Sequence, residues 1–99
     1  MAAAALDVDI ERVATICRRY GVTQLALFGS FSRGEVTAES DVDLLYDLDP
    51  GARLGWEIEA LAEELAAEFG RPVDLVARRA LHGRLRDRVL AEAVSLHAS

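Results

Sequence analysis

Residues Gly29 to Asp43 read GSFSRGEVTAESDVD, and the two ends of this stretch decide how the chain is laid out. A Gly-Ser pair closes the apolar run QLALF, Gln24 to Phe28, as a turn closes a buried strand. At the other end, Asp41 and Asp43 open a second apolar run, DLLYDL. Residues two apart on a strand share a face, so these carboxylates project together, roughly 6–7 Å apart at the backbone. Their repulsion costs roughly 2–3 kcal/mol at an effective dielectric near 20. A purely structural strand start gains nothing from that cost. A divalent cation reverses it, because paired hard oxygen ligands are what Mg²⁺ takes.

The Gly-Ser end offers complementary chemistry. Gly29 lets the backbone approach a ligand closely. Ser30 stands where a strand becomes a turn of helix, at Ser30 to Gly34, and free N–H groups there favour a phosphate. Its hydroxyl adds a donor, and Arg33 in the next turn adds positive charge. A phosphate cradle followed by a metal-binding pair equips a chain for phosphoryl or nucleotidyl transfer, where positioning and charge neutralisation dominate. Asp74, in PVDLV, is the third acidic candidate. Placed on a strand beside that of Asp41, it joins the pair and can deprotonate an attacking hydroxyl.

Outward from this stretch, the periodicity predicts a helix over Asp7–Tyr20, with Ile10, Val13, Cys17 and Tyr20 as its apolar stripe. Asp7 or Asp9 caps it and Gly21 stops it. Glu35 to Ser40 is a polar loop, Asp41–Leu48 a strand, and Asp49-Pro50-Gly51 a turn. A second helix is expected over Leu54–Phe69, on the stripe Leu54, Ile58, Leu61, Leu65 and Phe69. Pro72–Ala77 is a third strand, whose proline suits a first or edge position. Leu81–Ala93 is a third helix, on Leu81, Leu85, Val89 and Ala93, and Val94–His97 is a short last strand. This order predicts an α/β (α+β) domain with a small mixed sheet packed against helices, in one layer pair. Residues 1–99 form a single domain, and residues 1–6 are expected to be disordered.

Bulk properties narrow the functional classes. The 99 residues suffice for one core, and no apolar run approaches the roughly 20 residues of a membrane span. MAAAALDVD lacks a basic n-region and does not read as a signal peptide. Cys17, the single cysteine, excludes an internal disulfide and fits a cytoplasmic protein. A net charge of −6 opposes direct nucleic-acid binding. Asp47 and Asp49 read as surface and turn residues, and His82 and His97 as isolated. Trp56 lies off its helix stripe, half-exposed at a partner surface or at the core margin. Arg78, Arg79, Arg84, Arg86 and Arg88 form a basic cluster, read first as a solvated face and second as a docking patch or nucleotide contact.

Gly29-Ser30, ten residues, then Asp41-Val42-Asp43 resembles the signature of the nucleotidyltransferase superfamily that includes DNA polymerase beta. The flanks LFGSFSRGE, SDVDLLYDL and RPVDLVARRAL resemble the minimal nucleotidyltransferase (MNT) proteins over roughly residues 10 to 97. The resemblance implies an antitoxin paired with a HEPN RNase toxin, transferring AMP from ATP to a toxin tyrosine. By motif position, Gly29, Ser30 and Arg33 would hold the nucleotide. Asp41, Asp43 and Asp74 would be catalytic and bind Mg²⁺. A hetero-oligomer with the toxin is implied. The alternative is a non-catalytic binding module that neutralises its partner by complex formation. One departure from the family pattern is Phe31-Ser32 after Gly-Ser, where an Arg- or Ala-containing run is common; Arg33-Gly34 is retained.

Overall fold

The computed structural model describes residues 8–35, 37 and 39–98. Asp7 as a helix cap and the expected disorder of residues 1–6 lie outside the described residues. Helix α1 spans Ile10–Tyr20, and Asp9 is its cap: the carboxylate accepts from the backbone N–H groups of Glu11 and Arg12 at 3.0 and 3.4 Å. Gly21 ends it at φ 74°, a left-handed turn that strands the next residue as the start of β1 (Val22–Phe28). A single turn, α2 (Ser30–Arg33), leads through the polar loop to β2 (Val42–Leu48). Helix α3 (Glu57–Phe69), β3 (Val73–Ala77), a short 3₁₀ turn (Arg78–Ala80), α4 (Gly83–Glu92) and β4 (Val94–Ala98) complete the chain.

The sheet order is β3-β2-β1-β4, with β1 antiparallel to both β2 and β4 and β2 parallel to β3. This mixed sheet agrees with the α/β expectation. It also puts the Pro72 strand at an edge. The main core lies where α1 and α3 cover one face: Val13, Ile16 and Cys17 meet Leu61, Leu65 and Phe69 over Leu25, Leu27, Val42 and Leu44. Arg12–Glu68 (2.6 Å), Arg19–Glu64 and Tyr20–Glu64 tie the two helices along their exposed margin. Such exposed pairs add little to stability beside the buried apolar surface.

The layer arrangement differs from the sequence expectation. Leu45 faces away from Leu44 and packs with Leu81 and Val89, joined by Phe28, Val76 and Leu90. Helices therefore cover both sides of the sheet, and α4 rests on the second face through few residues. Two helix starts also differ. Gly55 interrupts the expected second helix, and α3 begins at Glu57, whose carboxylate accepts from the Gly55 N–H at 3.0 Å. Leu54 still packs on the core from outside the helix. His82, extended ahead of the first helical residue Gly83, likewise separates Leu81 from α4, so its expected stripe breaks: Leu81 and Val89 are buried while Leu85 is 58% exposed. Trp56 is 95% exposed, well away from any core margin.

Candidate active site

The parallel pairing of β2 and β3 sets Asp43 directly opposite Asp74, and the antiparallel pairing of β1 and β2 sets Asp43 opposite Phe28. Residues opposite one another share a face of the sheet. Asp43 and Asp74 therefore lie on the second face, with Leu45, Val76 and Phe28. Asp41 stands one residue before the strand and is exposed, as is Asp74. The strand-neighbour expectation for Asp74 holds. Asp41 is not itself a strand residue, so its proximity to Asp43 comes from the chain's entry into β2 rather than from the strand repeat.

Gly29 brings the Gly-Ser turn onto the Asp43 carboxylate. It has φ +73°, and a Cβ built there would lie 2.3 Å from Oδ2 of Asp43. A side chain there would force the carboxylate to move, and the left-handed backbone disfavours any L-residue with a Cβ. The turn is fastened by the Ser32 hydroxyl, which donates to the Gly29 carbonyl at 2.8 Å, and by the Arg33 N–H, which donates to the same oxygen at 3.2 Å. Ser30 is left with a half-buried hydroxyl that takes no hydrogen bond from, and gives none to, the described residues.

Burial pushes the Asp43 carboxyl above its ordinary value, the charges of Asp74 and Asp41 push it further, and Arg33 opposes them. The Asp43 carboxyl thus feels the charge of two neighbouring carboxylates. An all-oxygen donor set in mutual repulsion is the chemistry that a hard divalent cation satisfies. As the side chains stand, no three His, Cys, Asp or Glu among the described residues are drawn together closely enough to hold a metal.

Arg33, expected to hold the nucleotide, stands in the turn after Gly29 with its guanidinium held by two carboxylates. Its Nε donates to Glu35 at 2.8 Å and its Nη1 to Glu92 at 3.1 Å. Glu92 is 59 residues away on α4, and linear spacing carries no signal for that pairing. The basic cluster is also divided. Arg78 turns across the sheet to Gln24 (3.1 Å) and Asp47 (3.8 Å), while Arg84, Arg86 and Arg88 lie exposed along α4. His97, read as isolated, is buried opposite Leu25, and its Nε2 has no partner among the described residues. Its place is on β4, away from the carboxylates.

Comparison with known proteins places this geometry in context. The profile of the family described as "Nucleotidyltransferase domain" matches residues 10–96. The chain is 38% identical over 91 residues to the protein adenylyltransferase MntA of Thermococcus cleftensis, covering 87% of this chain and 91% of that protein. It is 33% identical over 86 residues to a protein of Methanocaldococcus jannaschii that carries a provisional protein adenylyltransferase name, with the same coverage. Among solved structures, one titled as a provisional minimal nucleotidyltransferase superposes with a TM-score of 0.73 at 39% identity, covering 86% of each chain. A toxin–antitoxin complex with AMP-PNP superposes with a TM-score of 0.67 at 28% identity, covering 93% of this chain and 75% of that one.

Proposed function

This chain belongs to the nucleotidyltransferase-domain family, and from that premise we propose that it transfers AMP from ATP to a tyrosine hydroxyl of a HEPN-domain toxin and so acts as an antitoxin. The observation that carries the reading is the placement of Asp43, opposite Asp74 across β2 and β3 and pressed against the Gly29 backbone. One residue thus joins the phosphate turn to the acidic cluster. The relatives support the rest: one is named a protein adenylyltransferase, and one structural neighbour is a toxin–antitoxin complex with AMP-PNP.

In this reading Gly29 gives the triphosphate a close approach to backbone, and the unpartnered Ser30 hydroxyl donates to a phosphate oxygen. Asp41, Asp43 and Asp74 are the residues that would hold magnesium, which supplies charge neutralisation at the α-phosphate. Asp74, exposed at the edge of the cluster, accepts the proton of the attacking hydroxyl. The hydroxyl oxygen bonds to the α-phosphorus, the bond to the β-phosphate oxygen breaks, and pyrophosphate leaves. Asp43 orients the cluster toward the turn. A cytoplasmic setting fits these partners, and among the described residues no helix is long and apolar enough to cross a membrane.

The test is incubation of the chain with labelled ATP, magnesium and the purified HEPN partner. Label is expected on a partner tyrosine, and Asp43→Asn is expected to abolish it. Transfer by that variant at the native rate refutes the assignment. A neutralisation assay addresses the alternative of simple occlusion. If the Asp41→Ala, Asp43→Ala double variant still suppresses toxicity through the same complex, catalysis is not how the antitoxin works.

A further inference from the structure

We infer that Arg88 on α4 is a phosphate-binding residue of the nucleotide site. This rests on the reading of that site as an ATP site and names a residue that neither the Gly-Ser signature nor the acidic cluster contains. A cleft of about 490 Å³ opens beside the Gly29 turn, within the range of roughly 300–1,000 Å³ usual for small-ligand sites. Phe28, Gly29 and Arg33 line one side of it, and Leu85, Arg88 and Glu92 the other. The α4 residues recur at three- and four-residue spacing, so they form one stripe of the helix. Val89, buried between them in the chain, holds that stripe against the second face of the sheet.

The charges in this cleft are unequal. Arg33, the cation expected to meet the phosphates, is already paired with Glu35 and Glu92. Two carboxylates on one guanidinium leave little net positive charge for a polyphosphate. Arg88 lines the same cleft, is exposed, and makes no ion pair or hydrogen bond with the described residues. A guanidinium offers a planar fork of donors that matches phosphate oxygens. In a chain of net charge −6, an uncommitted cation beside the phosphate turn is the attractive element for an anionic ligand. The occupant it selects is the nucleotide's phosphate chain rather than its base, because Arg88 faces the turn that Gly29 builds.

The experiment is titration calorimetry with ATP and with AMP, in magnesium, on the native chain, Arg88→Ala, Arg88→Lys and Arg84→Ala. Arg84→Ala removes the same charge from the same exposed helix but from outside this cleft, so it controls for bulk electrostatics. Loss of one charge-assisted contact predicts roughly tenfold weaker ATP binding by Arg88→Ala. Arg84→Ala is expected to stay within about twofold of native and Arg88→Lys to recover part of the loss. AMP, with one phosphate, is expected to lose less than ATP. The inference is overturned if Arg88→Ala and Arg84→Ala bind ATP alike, or if AMP and ATP lose equally. Should the native chain itself take up no ATP, the ATP-site reading falls and this inference with it. Native uptake with an unaffected Arg88→Ala sinks the inference alone.

Discussion

Gly29 and Asp43 touch: the glycine's backbone occupies the space beside Oδ2 that any Cβ would enter at 2.3 Å. The Gly-Ser turn and the Asp43 carboxylate therefore constrain one another. Gly29→Ala must displace the carboxylate and also adopt φ +73° with a side chain. The backbone part alone costs about 1–2 kcal/mol. Urea unfolding is expected to show at least that loss, and AMP transfer to the partner is expected to disappear. An alanine variant with native stability and native transfer contradicts the contact.

Asp43→Asn separates charge from shape. The Asp43 carboxyl is raised in the folded chain, so its ionisation is less favourable there than in the unfolded chain and lowers stability as pH rises. Asparagine lacks that charge. Without divalent cations at pH 7, the variant is expected to be more stable, on the order of 0.5 kcal/mol. The gain is expected to vanish as pH falls below the unfolded value near about 3.9, where both states carry a neutral group. Saturating magnesium is expected to stabilise the native chain and leave the variant unmoved. Thermal melts in chelator and in magnesium at two pH values measure all three effects.

Cys17 has no accessible surface, and burial pushes its thiol up to about 11, with Arg18 pulling weakly the other way. The folded chain is expected to resist a disulfide-exchange reagent at pH 8 and to react once unfolded in urea. Because the unfolded thiol ionises near about 8.5, its contribution to stability is complete below that pH and is lost as pH rises toward about 11. Urea midpoints at pH 7 and 10 for the native chain and Cys17→Ala resolve it: the difference between them should shrink at the higher pH. Fast native-state modification contradicts the burial.

Glu92 restrains Arg33 across the cleft at 3.1 Å. Glu92→Gln removes a negative charge from the proposed phosphate site and loosens that restraint. ATP binding is expected to tighten a few-fold. Stability is expected to stay close to that of the native chain, since Arg33 and Glu92 are 44% and 31% exposed and the pair is screened by solvent. Weaker ATP binding by this variant means that Glu92 holds Arg33 in its working position instead.

Much of this arrangement was legible in the chain. Three- and four-residue apolar spacing located α1 and the body of α3, and Gly21 and Gly70 marked their ends at left-handed φ. The alternation read from Asp41 to Leu48 located β2, which begins one residue later, at Val42. The errors fell where local and distant forces compete. Leu81 and Leu54 look helical by spacing, yet extended His82 and Gly55 break the backbone before the helix can include them. Leu81 is buried and Leu54 partly buried from outside the helices, because burial rewards position and not secondary structure. Leu85 then falls on the solvent side of α4.

Residue order alone determined which groups are available: a glycine that must turn, a serine and an arginine after it, two aspartates at a strand entrance and a third on a later strand. Those are properties of covalent neighbours and short repeats. Only the folded sheet decided which distant groups meet. Parallel pairing put Asp74 beside Asp43, and the packing of α4 on the second face brought Glu92 to Arg33 and Arg88 to the cleft. Strand pairing and helix docking are set by the burial of Leu45, Val89 and their neighbours across long separations, and no local spacing encodes a contact whose partner is chosen by a shared core.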